Sequence, residues 1–357
     1  MELRLIDAIG PFFRGIKRRR LNWSKIPFHD LPVGSDAGDH WEDIRKGLND
    51  FATEVLAAGF NAVTLDDVAH LTDHPWYENE VRERIGYFSD RFEELIDDLL
   101  QRELRVYVTS DVVTMTKAIS RKTKGCREKQ REFYFEILER FFVRFPGVEG
   151  VILRVGESDG LDVHDDLRSE LHLRSPKEGN GFLKELLPRM EAAGKTVILR
   201  TWTVGAYRLG DLIWHRGTLG KMLEGISSEK FILPMKPGDS DFFRYLPLNK
   251  AFFRYEGKKV LELQARPEYE GAGELPTFLG YQYSRYAEEL EGVKNLVGVS
   301  VWCQTGGWHR FRRLAFFDEG SPWVENNARV ALGIFAHGES LATSIPEGAE
   351  FFELLDR

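Results

Sequence analysis

Short apolar runs of strand length alternate with helical patterns along almost the whole chain, and this alternation limits its fold more than any other feature. Eight runs stand out, near Leu21–Ile26, Phe60–Leu65, Leu104–Thr109, Val148–Val155, Thr196–Arg200, Phe231–Met235, Val260–Gln264 and Leu296–Trp302. Most are β-branched or aromatic, as buried strands are. Helical patterns such as WEDIRKGLNDFATEVLAAG and GNGFLKELLPRMEAAG lie between them, and Gly59, Gly194 and Gly292 stand where helices should stop. Strands alternating with helices imply a parallel sheet with right-handed crossovers. Eight such units predict a (β/α)8 TIM barrel. A doubly wound open sheet fits less well, because no Gly-rich phosphate loop follows a strand. The expected organisation is a barrel over residues 1–310 and a helical C-terminal extension over 311–357, read either as a short tail or as the start of a further domain.

Composition narrows the function. A net charge of -8 argues against a nucleic-acid partner, and the one basic run, Lys17 to Arg20, is short. An apolar fraction of 42% and an aromatic fraction of 12% allow a sizeable core. Cys126 and Cys303 make neither a disulfide framework nor a zinc cluster. No run reaches transmembrane length and the N-terminus has no signal core, so no membrane is expected and a cytoplasmic location is.

A barrel carries its chemistry at the C-terminal ends of its strands. Those ends hold Asp66 and Asp67, then Ser110 and Asp111, then Arg154, Glu157 and Asp159. Arg200 and Trp202 follow the fifth run, Lys236, Asp239 and Asp241 the sixth, and Gln264, Arg266, Glu268 and Glu270 the seventh. Trp302, Trp308 and His309 follow the eighth. Carboxylates, cations and indoles on one rim point to a sugar site, because aromatic faces stack on a pyranose and charged groups take its hydroxyls. Arg154, Arg200 and Lys236 end three successive runs. A neutral sugar does not need them, whereas a sugar acid does.

Other chemistries fit poorly. His70 and His74 sit in HLTDH, which is not a zinc-protease helix. GESDG matches a serine-nucleophile turn by letter, but the acids flanking Ser158 would oppose an oxyanion. No metal and no organic cofactor are expected.

From Phe51 to Ala331 the chain resembles the glycoside hydrolase family 67 α-glucuronidases. The segments AAGFNAVTLDDV, GVILRVGESDG, VILRTWTV, MKPGDSDFF and ELQARPEYEG resemble that family's second, fourth, fifth, sixth and seventh strand ends. The resemblance implies that Asp241 and Glu268 share the general-base role and that Glu157, or Asp159 beside it, is the general acid. It implies a uronate pocket of Arg154, Arg200 and Lys236. The rim reading adds Asp67, Trp202, Trp302 and Trp308 as further substrate contacts, with Trp302 and Trp308 reading equally as packing residues that close the barrel mouth. The chain departs from the family in lacking its N-terminal domain, in having at most part of its helical C-terminal region, and in offering two acids where the family has one Glu. The implied activity is inverting hydrolysis of an α-linked glucuronosyl group from a saccharide. The alternatives are a hydrolase of another acidic or neutral sugar on the same barrel, or a carbohydrate-binding barrel without catalysis.

Overall fold

A computed structural model describes residues 1–14, 16, 25–155, 165–201, 212, 215–239, 242–243, 245–267, 270, 275–303, 316–317 and 322–344. Eight parallel strands close into a barrel in chain order. They are β1 Leu3–Asp7, β2 Ala62–Leu65, β3 Arg105–Val112, β4 Gly150–Val155, β5 Thr196–Leu199, β6 Phe231–Met235, β7 Lys259–Gln264 and β8 Leu296–Trp302. β8 pairs back onto β1, with Leu5 opposite Ser300. Helices cross between strands, including Gly38–Ala57, Asn79–Gln101, Arg127–Arg144, Pro176–Ala192 and Gly280–Glu289. The expected (β/α)8 barrel is the fold observed.

The first strand is a correction. It is Leu3–Asp7, not the run Leu21–Ile26: Lys25 and Ile26 lie outside any strand, and residues 21–24 fall outside the described residues. LRLID wins because its alternation serves two layers at once. Leu3 and Leu5 enter a small apolar cluster with Ala62, Tyr107, Ile152 and Ile198, while Ile6 joins the larger core of strand and helix residues. Successive side chains on a strand point to opposite faces, so Leu3 and Leu5 fill the barrel interior and Ile6 faces the helical layer.

Local chemistry sets the helix ends. Ser175 caps the helix Pro176–Ala192 by accepting from Glu178 N, and the Glu178 side chain accepts from Ser175 N in return. Pro176 occupies the first turn, where its missing N–H is no loss. Gly59, Gly194 and Gly292 all take positive φ just past helix ends, which glycine adopts without strain. Gly150 answers to a different demand. A Cβ there would lie 2.1 Å from the Thr196 carbonyl oxygen on the neighbouring strand.

The helix Pro322–His337 packs on Gly280–Glu289 and fixes the loop after β7. The fully buried Asn327 accepts from Leu279 N at 2.9 Å and donates to the Ala265 and Thr277 carbonyls at 3.0 and 2.9 Å. Among the described residues no helix is long and apolar enough to cross a membrane.

Candidate active site at the barrel mouth

Inside the barrel the strands change character along their length. The lower interior is apolar, built from Leu3, Leu5, Ala62, Tyr107, Ile152, Ile198, Ile232 and Val260. Two residues further along, the inward positions turn polar. Asp7 ends β1, Asp66 follows β2, Asp111 lies near the end of β3 and Arg154 near the end of β4. Arg200 and Lys236 follow β5 and β6, Glu262 and Gln264 sit on β7, and Trp302 ends β8. Arg154, Arg200 and Lys236 are only 2%, 6% and 1% exposed, so all three cations lie within the mouth and not on its outer rim.

The side formed by β2, β3 and β4 is densely paired. Asp111 is level with Arg154, and Arg154 Nε lies 2.6 Å from Asp111 Oδ1. The other Asp111 oxygen takes Lys25 Nζ and Ser169 Oγ, which ties two loops to β3. Burial alone would raise the Asp111 pKa, but Arg154 and Lys25 override it and hold the carboxyl well below its usual range. Asp66 accepts from Thr109 Oγ1 and from Ile26 N, both at short distance. Burial still pushes its pKa upward, partly countered by Arg154.

Outside this layer, His70 bridges two loops. Its Nδ1 is 2.7 Å from Asp67 Oδ1 and its Nε2 is 3.1 Å from Asp165 Oδ2, while Arg84 holds the other Asp165 oxygen at 2.9 Å. Phe28 stacks on the imidazole with a centroid distance of 4.2 Å. Burial would lower the His70 pKa, but the two carboxylates outweigh it and raise it to about 10. His70 is therefore an imidazolium at neutral pH. Its charge in turn holds Asp67 and Asp165 below the usual carboxylate range against the effect of burial. A narrow cleft of about 40 Å³ lies over this cluster, between Lys25, Phe28, His70 and Thr114.

The side formed by β7, β8 and β1 differs among the described residues. Arg200 Nη2 reaches Glu262 Oε1 at 3.3 Å, and its guanidinium lies 4.6 Å from the centre of the Trp302 ring. Lys236 Nζ lies 4.3 Å from the centre of the Phe242 ring. Asp7 Oδ1 accepts from Cys303 N at 2.8 Å. Asp7 Oδ2, Glu262 Oε2, Gln264 Oε1 and Trp302 Nε1 are buried and have no hydrogen-bond partner among the described residues. Burial raises the Asp7 pKa to about 6, which the bonds to Cys303 only partly offset.

Five of the sequence-derived site residues are described. Arg154, Arg200, Lys236 and Trp302 come together at the mouth. Asp67 lies further out, where its Oδ1 accepts from both His70 N and His70 Nδ1 and caps a short 3-10 turn. Glu157, Asp159, Trp202, Asp241, Glu268 and Trp308 lie outside the described residues. Among the other strand-end acids, Glu270 is tied to Arg266 at 2.7 Å. His74 turns towards Glu136, at 3.3 Å, and so does not join His70. Among the described residues no group of three metal-ligating side chains occurs.

Sequence reasoning missed Asp7 and Glu262. Both had a signal. In LRLID and KVLELQ a carboxylate falls on the alternation that otherwise places Leu3, Leu5 and Val260 inside the barrel.

Comparison with solved structures gives the same architecture. A GH138 enzyme targeting pectin rhamnogalacturonan II aligns with a TM-score of 0.59 and 11% identity, over 100% of this chain and 40% of that one. The likeness is one of fold. This chain thus spans less than half the length of that neighbour. A trimodular GH5_4 endoglucanase aligns with a TM-score of 0.48 and 10% identity, over 92% of this chain and 60% of that one. A cellulose synthase subunit Z from Clostridioides difficile aligns at 0.47 and 13%, over 93% and 100%. These two scores are too low to carry an argument. No family model matches the sequence, and no curated protein matches it.

Proposed function

We propose that the protein is a glycoside hydrolase that removes a uronic acid, an α-linked glucuronosyl group in the first instance, from a saccharide. The observation that carries this reading is the set of three buried cations at the ends of β4, β5 and β6, namely Arg154, Arg200 and Lys236. Burying a cation is costly unless anions meet it. Asp111 meets Arg154 and Glu262 meets Arg200. A guanidinium has five N–H donors in a planar fork that matches a carboxylate. A sugar carboxylate is an anion of the right size for such a group. The fold neighbour targets, by its name, pectin rhamnogalacturonan II, which supports a saccharide as substrate in general.

The chemistry proposed is inverting. Glu157, or Asp159, protonates the leaving oxygen, while Asp241 and Glu268 orient and deprotonate a water on the opposite face of the ring. Such acid–base pairs stand about 6.5–9.5 Å apart, against about 5 Å in retaining enzymes. The carboxylates supply both proton transfers.

A panel of aryl and oligosaccharide uronides beside their neutral counterparts tests this reading. Release of free uronic acid, lost by orders of magnitude in Glu268→Gln with the fold intact by circular dichroism, is the expected result. Turnover of neutral glycosides only would overturn the acidic-sugar assignment. The internal pairs Arg154–Asp111 and Arg200–Glu262 favour a second reading, a carbohydrate-binding barrel without catalysis. Tight uronide binding with no turnover on any substrate would establish that reading instead.

A further inference from the structure

Three neighbouring strands bring four unpartnered polar atoms to one side of the mouth. Gln264 is level with Trp302, and Glu262 with Ser300. Leu5 is also level with Ser300, which puts Asp7, two residues on, level with Trp302. Asp7, Trp302 and Gln264 therefore form one tier across β1, β8 and β7, with Glu262 just beneath. Asp7, Glu262 and Gln264 are 4%, 1% and 6% exposed. Asp7 Oδ2, Glu262 Oε2 and Gln264 Oε1 are acceptors, and Trp302 Nε1 is a donor. None of the four has a hydrogen-bond partner among the described residues. Buried polar groups in native proteins are almost always paired, so four orphans on adjacent strands call for an explanation.

We infer that this tier reads unsubstituted hydroxyl groups of the sugar held at the mouth. A group that both donates and accepts suits this mixture, and a sugar hydroxyl does so in place of water. A bound cation would leave Trp302 Nε1 unmet and would face Arg200, which lies against both Glu262 and Trp302. Strands about 4.8 Å apart let three side chains converge on neighbouring positions of one ring. Removing the hydroxyl leaves a buried acceptor unmet, and a methyl ether takes away its proton. The tier thus selects against deoxy and O-methyl sugars. This specificity rests on the saccharide reading above, but not on the sugar being acidic.

Calorimetric titration with methyl α-D-glucuronoside, its 2-, 3- and 4-deoxy analogues and methyl α-D-glucoside tests it. The protein is compared with Gln264→Leu and Asp7→Asn, each checked by thermal unfolding. The wild type should bind at least one deoxy analogue about ten-fold more weakly than the parent. Gln264→Leu should weaken parent binding by a similar factor and then bind one analogue as tightly as the parent. If one variant fails to fold, the other carries the same comparison. Equal wild-type affinity for all the analogues, or full discrimination kept in both variants, would overturn the inference and leave the uronate reading standing. The same hydroxyl dependence with glucoside and no binding of glucuronoside would uphold the inference and remove the uronate reading. Absence of binding to every sugar would overturn both.

Discussion

The two sides of the barrel mouth are built on opposite principles. On β2, β3 and β4 the buried polar groups of the described residues are met from within: Asp66 by Thr109 and Ile26 N, and most charges by another charge. Asp111 meets Arg154 and Lys25, and His70 meets Asp67 and Asp165. On β7, β8 and β1, Asp7, Glu262, Gln264 and Trp302 each keep a buried polar atom without a hydrogen-bond partner among the described residues. Low dielectric makes both arrangements consequential. A network of paired charges fixes loops and resists change, whereas buried atoms without a partner cost stability until something meets them. On the proposed reading the pairs of the first side hold Arg154 and the loops in place, and the second side adds hydroxyl recognition. The difference also predicts opposite signs when side chains are truncated.

The largest effect is expected on the paired side. Arg154→Met removes one of the two cations beside Asp111 and leaves Lys25 as the other, at a cost of about 3 kcal/mol. Urea unfolding measures this, and a loss below about 1 kcal/mol would dissolve the contrast between the two sides. His70→Gln should act in the same direction, with a signature in pH. The folded His70 pKa is raised to about 10 from 6.5, so its stabilising contribution is full below 6.5 and is lost as pH rises towards 10. The variant should be less stable at pH 6 and should lose less on going from pH 6 to pH 10.

The opposite sign is expected at Asp7. Its folded pKa is raised from 3.8 to about 6, so the folded state holds the proton more tightly, and stability falls as pH rises from 3.8 through 6. Asp7→Asn keeps an acceptor for Cys303 N and removes the buried charge. It should stabilise the protein at pH 8 by up to about 3 kcal/mol, at roughly 1.4 kcal/mol per pH unit, and have little effect at pH 3.5. A loss of stability at pH 8 would mean that the Asp7 charge is satisfied within the protein. The smallest effect is at Gln264→Leu, where stability should change by less than about 1 kcal/mol because no bond within the described residues is broken. Its effect should appear in sugar binding instead.

The barrel was legible because its strands are buried on both faces and read as apolar runs bounded by helix stops. Seven of the expected runs overlap observed strands, from Ala62–Leu65 to Leu296–Trp302. The first did not, because local composition favours LNWSKI as readily as LRLID, and what decides is closure. Leu3–Asp7 pairs with both β8 and β2, a long-range fact that no local window contains. The same error concealed Asp7, since a strand placed at Leu21 sends the search for strand-end acids elsewhere. Arg154, Arg200 and Lys236 were legible as cations following apolar runs. Their internal partners were not, because Asp111 and Glu262 come from other strands and only the barrel brings them near. Glu262 was hidden further by sitting within a strand and not after it.

A structure with glucuronic acid bound tests the central claim most directly. The account predicts the sugar at the mouth, its carboxylate within about 3 Å of Arg200 or Lys236, and its hydroxyls turned to Asp7, Gln264 and Trp302. A sugar bound elsewhere, or one at the mouth with its carboxylate turned to Asp7 and away from the three cations, would contradict it.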